Sequence, residues 1–534
     1  MVYGSLHSAH RTSRTSENAR LALGFVSKAL FVLLVFAPLC AVALELRGGV
    51  GWPALIPDGR RLELLLQSAA LATGVGAAAT AFGFLAALAL WRCREGRRSR
   101  LKWLVLIMAP VPPYIHALAW ATALRFLSTG ATRGGPLALE GWVLAGWVDT
   151  MALLPVAVGL SLLGLEAVQP ALVECGRVAR SDLRTLTGIV IPLAAPGILA
   201  SFATTLLFSL MDYTVPSIFG ADVYALEIFV GYSASADPAQ ALLLAVPLGV
   251  IGAAVVLGSL KTVRAAASAA SPRAFAQMAP LSFPGWFRVI ERVGLTVLGL
   301  QILVPLVVLT TSLDRPAGVL QTLRLAAGDV GSSFRIAGLA AVFCLVPAAG
   351  TARALLGSRR STRVWWLVAA APLAVPAPLI GVGLIVICNR PPFTGLYDSE
   401  WMPVLAASAR FMPWACLLVM AQLKRLDPAL FDAARVHGPS PIRSWVRVSL
   451  PMMAPGVLAA ATLVFALTLG ELGATLLVTP PGRSTLTIRI YNYLHYGGSA
   501  EVATLCLVML AASLAAGLTI WLLLAGWTRL RRLL

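Results

Sequence analysis

"LVECGRVARSDLRTLTGIVIPLAAPG" (Leu172–Gly197) and "LFDAARVHGPSPIRSWVRVSLPMMAPG" (Leu430–Gly456) are two copies of one pattern. Pro170-Ala171-Leu172 recurs as Pro428-Ala429-Leu430 at an offset of 258, where Glu174 also meets Asp432 and Arg177-Val178 meets Arg435-Val436. Past a turn the offset becomes 259. There Arg184 meets Arg443, Pro192 meets Pro451, Ala195-Pro196-Gly197 meets Ala454-Pro455-Gly456, and Asp212 meets Glu471. The first copy has lost one residue at the turn. Upstream, "VPPYIHALAW" (Val111–Trp120) resembles "VPAPLIGVGL" (Val375–Leu384). A period of this length predicts two related structural units in one chain.

Those polar stretches sit in an apolar protein. Of 534 residues, 58% are hydrophobic and 12% charged. No soluble domain of this size buries so much apolar surface, so the bilayer is the expected solvent. A span takes about 20 mostly apolar residues as a helix, because each backbone N–H and C=O needs a partner within the segment. The predicted fold is an all-α polytopic membrane protein with about 12 transmembrane helices. Expected spans are about 22–46, 65–91, 103–126, 142–165, 195–219 and 239–260, then 293–313, 334–356, 364–388, 402–423, 452–478 and 502–526. Six spans return the chain to its starting side, so the halves are expected to be parallel repeats.

The net charge of +19 could mark a nucleic-acid binder. However, most of the 42 basic residues fall in alternate short loops, as in "WRCREGRRSRLK" (Trp91–Lys102), which is the positive-inside signal of topology. It places both termini, and both polar stretches, in the cytoplasm. The expected organisation is a cytoplasmic N-terminal tail (1–21), a first unit (22–263) with its polar loop at about 169–192, and an Ala/Ser/Pro-rich linker (264–285). A second unit (286–534) follows, with its loop at about 427–451. The polar, Ser/Arg-rich N-terminus shows no signal peptide, and the first apolar run is long enough to remain as a helix. The seven cysteines are scattered, without a C-x-x-C pair, and read as packing residues and not as a metal or disulfide framework.

Each polar loop joins the fourth span of its half to the fifth. In the second copy Asp427 can cap a helix with Pro428 in its first turn, and Gly438 can end it. Ser440 can cap a second short helix with Pro441 at its first position. An amphipathic connector lying on the membrane is the plain alternative. Two such loops at equivalent repeat positions favour docking, and a symmetric pair suits a symmetric dimer on the cytoplasmic side.

The second loop resembles the EAA loop of permease subunits of ATP-binding-cassette importers. That pattern, E-A-A, three residues, G, then a stretch ending I-x-L-P, is matched by Asp432-Ala433-Ala434, Gly438 and Val448-Ser449-Leu450-Pro451. The first loop is degenerate, with Glu174-Cys175-Gly176, Arg177 and Ile189-Val190-Ile191-Pro192, and it has Ala179 or Arg180 in place of the glycine. The resemblance implies that Glu174, Cys175, Gly176 and Arg177, together with Asp432, Ala433, Ala434, Arg435 and Gly438, belong to coupling helices. These would seat in ATP-binding subunits, two copies of them, with a substrate-binding protein reaching the outer face from the periplasm. It implies a bacterial inner-membrane location. Two fused permease halves in about 500 residues look like the ferric-iron importer permeases; Gly470–Gly497 is the stretch most similar to them, Ser209–Ala234 is similar in the first half, and thiamine, polyamine and phosphonate importers have related permeases.

No engine is encoded. There is no G-x-x-x-x-G-K-[ST] phosphate loop among the residues around Lys28, Lys102, Lys261 or Lys424, so ATP is expected on a partner and no cofactor on this chain. His7, His10, His116, His437 and His495 are dispersed, which leaves no hydrolase constellation and no metal site. Asp212 and Glu471 stand at equivalent positions near the outer end of the fifth spans. Acids at that depth line a cavity or meet a partner. They are candidates for a translocation path favouring a cation, or for gate residues paired with a neighbour. His116 reads as a buried hydrogen-bonding residue. An ion-gradient-driven secondary transporter with 6+6 helices is the reading from another class, and it gives the paired loops no task.

Overall fold

The computed structural model describes residues 2–46, 55–92, 111–129, 141–269, 281–313, 315–356, 360–424, 426–427, 429, 450–496 and 499–533. Among them every regular element is helical. Among the described residues ten helices are long and apolar enough to cross a membrane, and a further pair that is apolar enough together is bent by 98°.

The first half contains α1 (Val2–Glu45), α2 (Gly59–Arg92), α3 (Pro113–Thr129), α4 (Gly141–Glu166) and the short α5 (Pro170–Ala179). It continues with α6 (Asp182–Met211), α7 (Thr214–Ile218), α8 (Tyr224–Ser235) and α9 (Pro238–Ala269). The second half contains α10 (Gly285–Thr311), α11 (Pro316–Ala354), α12 (Arg360–Ala370), α13 (Ala377–Cys388) and α14 (Thr394–Tyr397). It ends with α15 (Trp401–Lys424), α16 (Leu450–Leu469), α17 (Thr475–Val478), α18 (Leu486–Tyr496) and α19 (Ser499–Leu533).

Three expected spans need correction. The stretch 195–219 is not one helix: α6 stops at Met211 and α7 follows as a separate turn. Likewise 452–478 divides into α16 and α17. The stretch 364–388 is a bent pair, because Pro372 and Pro376 interrupt it and residues 371–374 form a 3-10 turn; proline removes a donor and restricts the residue before it. Of the expected 103–126 span, residues 103–110 lie outside the described residues, and α3 supplies the rest.

The halves repeat in packing as well as in order. The second span of each half, α2 or α11, lies against the fourth (α4 or α15) and the fifth (α6 or α16). The sixth, α9 or α19, lies against the fifth and against the amphipathic helix before it, α8 or α18. That helix is pinned in the same way twice. Ser68 on α2 accepts the N–H of Tyr224 at 2.8 Å, and Ser333 on α11 accepts the N–H of Leu486 at 2.8 Å. Ion pairs then tie α8 to α2 through Glu227 and Arg60, and α18 to α11 through Arg489 and Asp329, with the signs reversed.

The first helices are exchanged. α10 packs on α2 and α3 of the first half, while α1 packs on α11 and α13 of the second. Small residues permit both crossings: a Cβ on Gly294 would meet Ala86 N at 2.7 Å, and one on Gly350 would meet Ser27 Cβ at 2.2 Å. Close backbone approach of this kind is a main source of helix association in lipid.

The Ala-Pro-Gly sequence shared by the two polar loops also has a packing reason. On α6, a Cβ at Gly197 would meet the Cα of Gly164 on α4 at 2.5 Å. At the equivalent crossing, a Cβ at Gly456 would meet the Cβ of Gln422 at 2.3 Å. The fifth span re-enters the bundle at a point with no room for a side chain. Gly197→Ala should therefore destabilise the detergent-solubilised protein by about 1–3 kcal/mol, the usual cost of overpacking, seen as a lower thermal midpoint. Gly74→Ala, where nothing lies within 4 Å of the added carbon, should leave that midpoint unchanged.

Candidate functional site

The first polar loop is ordered by its own sequence. Gln169 is extended (ψ 129°) and Pro170 starts α5, a position where the missing N–H costs nothing. Val173 and Gly176 face inward. A Cβ on Gly176 would meet Ile189 Cδ1 at 2.6 Å and Thr185 Cγ2 at 2.8 Å. This close contact with α6 accounts for glycine where the EAA pattern has alanine. The opposite face of α5 is open, with Leu172, Glu174, Cys175 and Val178 all exposed, Val178 at 91%.

The shortened turn requires no left-handed glycine. Arg180 ends α5 in an extended conformation (φ −145°, ψ 162°) and Ser181 leads directly into α6. Arg177 Nε donates to Asp182 Oδ1 at 3.0 Å across the corner. A π-helical turn, Leu186–Val190, precedes Pro192, which has no N–H to continue an α-helical ladder. In the second copy Asp427 Oδ1 accepts the N–H of Ala429 at 2.9 Å, the capping bond expected of it. Asp432, Ala433, Ala434, Arg435 and Gly438 lie outside the described residues.

Between the halves is a cavity of about 130 Å³. Asp212 and Glu471 both line it, so the repeat brings the two acids to one place. Each also caps the short helix that follows. Asp212 accepts the N–H groups of Thr214 and Val215 at 3.1 and 3.2 Å, and Glu471 those of Ala474 and Thr475 at 2.8 Å each. Tyr213 O–H donates to the Gly473 carbonyl at 3.4 Å, joining the two breaks across the repeat.

The surroundings of the two acids differ. Glu471, its side chain 1% exposed, is paired with Arg410 on α15 at 2.5 Å. Arg410 has no counterpart in the first half, where offset 258 places Ala152. α4 contributes instead Asp149, buried and accepting from Ser209 Oγ at 2.8 Å. The ionisable residues lining the cavity are thus three acids (Asp149, Asp212, Glu471) and one guanidinium (Arg410). Sequence reasoning missed Asp149 and Arg410. Both were open to the rule that singled out Asp212, since each is an ionisable residue inside an apolar run. His116 is fully buried on α3, its Nε2 3.5 Å from Gln301 Nε2 on α10. That placement fits the buried hydrogen-bonding role expected from the sequence. Among the described residues no group of three His, Cys, Asp or Glu could hold a metal ion.

The chain is thus a polytopic bundle of two repeated halves, with a polar loop after the fourth span of the first half and a cavity lined by ionisable residues between the halves. Residues 346–534 match the family model for the binding-protein-dependent transport system inner membrane component. A molybdenum transport system permease of Haemophilus influenzae is 32% identical over 170 residues, covering 29% of this chain and 72% of the relative. A Salmonella typhimurium protein named for 2-aminoethylphosphonate transport is 29% identical over 184 residues (34% and 69%), and a putrescine transport system permease of Escherichia coli 26% over 208 (37% and 72%).

The chain belongs to this family of importer permeases driven by ATP-binding subunits. It is a multi-pass inner-membrane protein and not itself an enzyme; ATP hydrolysis takes place in a partner. Permeases of this family work with ATP-binding subunits and a substrate-binding protein.

Arg410→Ala should leave Glu471 buried without its cation, at a cost of about 3–5 kcal/mol. Thermal unfolding in detergent should show that loss, and Arg410→Ala/Glu471→Gln should recover much of it.

Proposed function

We propose that this chain is the membrane-spanning permease of an ATP-driven, binding-protein-dependent importer that carries a cation, with ferric iron as the substrate. The observation that carries the cation reading is the cavity's excess of acids: three acidic side chains line it against one guanidinium, which already serves Glu471. A carboxylate excess in a low-dielectric site attracts a cation and repels an oxyanion. That argues against the molybdate and phosphonate named for two of the relatives and leaves putrescine, itself a dication, as the second reading. Ferric iron rests in addition on the resemblance of Gly470–Gly497 and Ser209–Ala234 to ferric-iron permeases.

In this reading both termini and both polar loops face the cytoplasm. The loops dock two ATP-binding subunits. α5 offers Leu172, Cys175 and Val178 around Glu174, while Gly176 and Arg177 fix the helix from beneath. The second loop offers Asp432, Ala433 and Ala434, with Arg435 and Gly438. A substrate-binding protein delivers cargo at the opposite end. Asp212, Glu471 and Asp149 lie along the path. Asp212 and Glu471 hold α7 and α17 by their caps, so closing or opening the cavity also moves these two short helices.

Uptake of radiolabelled ferric iron in iron-limited cells should fall on deletion of this chain and on ATP depletion. Asp149→Asn/Asp212→Asn should lower it by tenfold or more, about the effect of removing one strong charge interaction. Uptake of labelled putrescine lost in place of iron would assign the polyamine reading, and full transport by the double variant would remove the path assignment. Val178→Asp should abolish co-purification of the ATP-binding subunit, since a charge replaces an exposed apolar contact.

A further inference from the structure

We propose that the end of the inter-half linker, Leu281-Ser282-Phe283, is a working part of the coupling machinery. It ties the first coupling loop to the start of the second half, and Asp182 is the positioning residue. This rests on the reading of α5 as the docking helix.

The tie is a continuous series of bonds. Arg177 on α5 donates to Asp182 Oδ1 at 3.0 Å. Asp182 Oδ2 accepts the backbone N–H of Ser282 at 2.5 Å and its hydroxyl at 3.1 Å. One residue back, the Leu281 carbonyl accepts from Arg92 Nε at the end of α2 at 3.0 Å. Arg92 also pairs with Glu291 in the second turn of α10, and its guanidinium lies 4.3 Å from the centre of the Phe283 ring. Leu281 and Phe283 are 1% and 6% exposed and belong to the apolar core of the first half. The linker end is therefore built into the first half beside the coupling loop and leads within two residues into α10.

The two loops differ in a way that gives this bond series a task. Offset 259 places Pro441 opposite Asp182, and a proline side chain can accept no hydrogen bond. The first loop is one residue shorter than the second and turns through extended Arg180. In the first loop the corner is held by Asp182, and Asp182 is held by the linker. A push on α5 reaches α10 through these side chains, and α10 lies on α2 and α3. The Asp182–Ser282 bonds are themselves exposed, but the residues on either side of Ser282 are buried in the core, Leu281 at 1% and Phe283 at 6%, so a displacement of Asp182 reaches groups fixed in the bundle.

The test uses the full chain in complex with its ATP-binding subunit, in proteoliposomes. Asp182→Asn keeps the shape and weakens the acceptor; Asp182→Glu keeps the charge. Three quantities are read: co-purification of the ATP-binding subunit, ferric iron transported per ATP hydrolysed, and backbone amide exchange over residues 281–283. In Asp182→Asn the subunit should still co-purify, iron per ATP should fall roughly fivefold or more, and exchange at 281–283 should rise roughly tenfold. Asp182→Glu should restore much of both. Unchanged iron per ATP with faster exchange would overturn the coupling role, and unchanged exchange would overturn the tie itself. Loss of the subunit only in Asp182→Asn would also overturn it, because Asp182 would then be shaping the docking face. Failure of the wild-type chain to hold any ATP-binding subunit would sink the docking reading, and the exchange measurement would still decide the tie. If Asp182→Asn fails to fold, Ser282→Ala removes one donor at the same place, and the same three readings apply.

Discussion

The fifth span of each half stops inside the bundle, and the N–H groups exposed by the break need acceptors where water is scarce. Asp212 and Glu471 supply them. A helix start left unbonded in such surroundings would cost several kcal/mol, so an acid at this position is set by the architecture before any cargo is considered. The same requirement brings one carboxylate from each half to a shared cavity. Fold and candidate site are therefore linked at these two residues: the caps that complete α7 and α17 are also the acids that line the shared cavity.

Repetition fixes the scaffold and departures from it shape the chemistry. The pinning serines Ser68 and Ser333, the crossings at Gly197 and Gly456, and the exchanged helices α1 and α10 obey the repeat. The charged residues around the cavity do not. Arg410 neutralises Glu471, Asp149 adds to Asp212, and neither stands at a position equivalent to the other. The loops depart in the same fashion: the second carries Gly438 in its sequence, and the first, one residue shorter, turns through an extended arginine beside a buried linker end. A fused chain permits such divergence, since each half is always matched to the same partner half.

Much of this was legible in the sequence. The repeat offsets located both loops, both capping acids and the close-approach glycines, because proline, glycine and buried acids each satisfy a backbone or packing demand that few other residues meet. The span ends were less legible. Hydropathy runs straight through Met211-Asp212-Tyr213 and through the Pro372–Pro376 bend, since the residues beyond each break are apolar too, so a window of hydropathy cannot register the change of direction. Asp149 and Arg410 were visible as residues, but only packing puts them on the same cavity as Asp212 and Glu471. The exchange of first helices left no mark in the sequence, because lipid-facing and protein-facing leucines and valines read alike.

That exchange bears on how the chain is made. α1 is synthesised before the surfaces it covers most, those of α11 and α13, which begin at Pro316 and Ala377. At ~5–20 residues per second, α1 waits roughly 15–50 s in the bilayer before the earlier of these two begins to emerge. A helix that must wait in lipid needs a surface that lipid tolerates. The apolar segment Gly24–Glu45 has that character: it is the least buried of the ten spans even in the finished protein, at 28%.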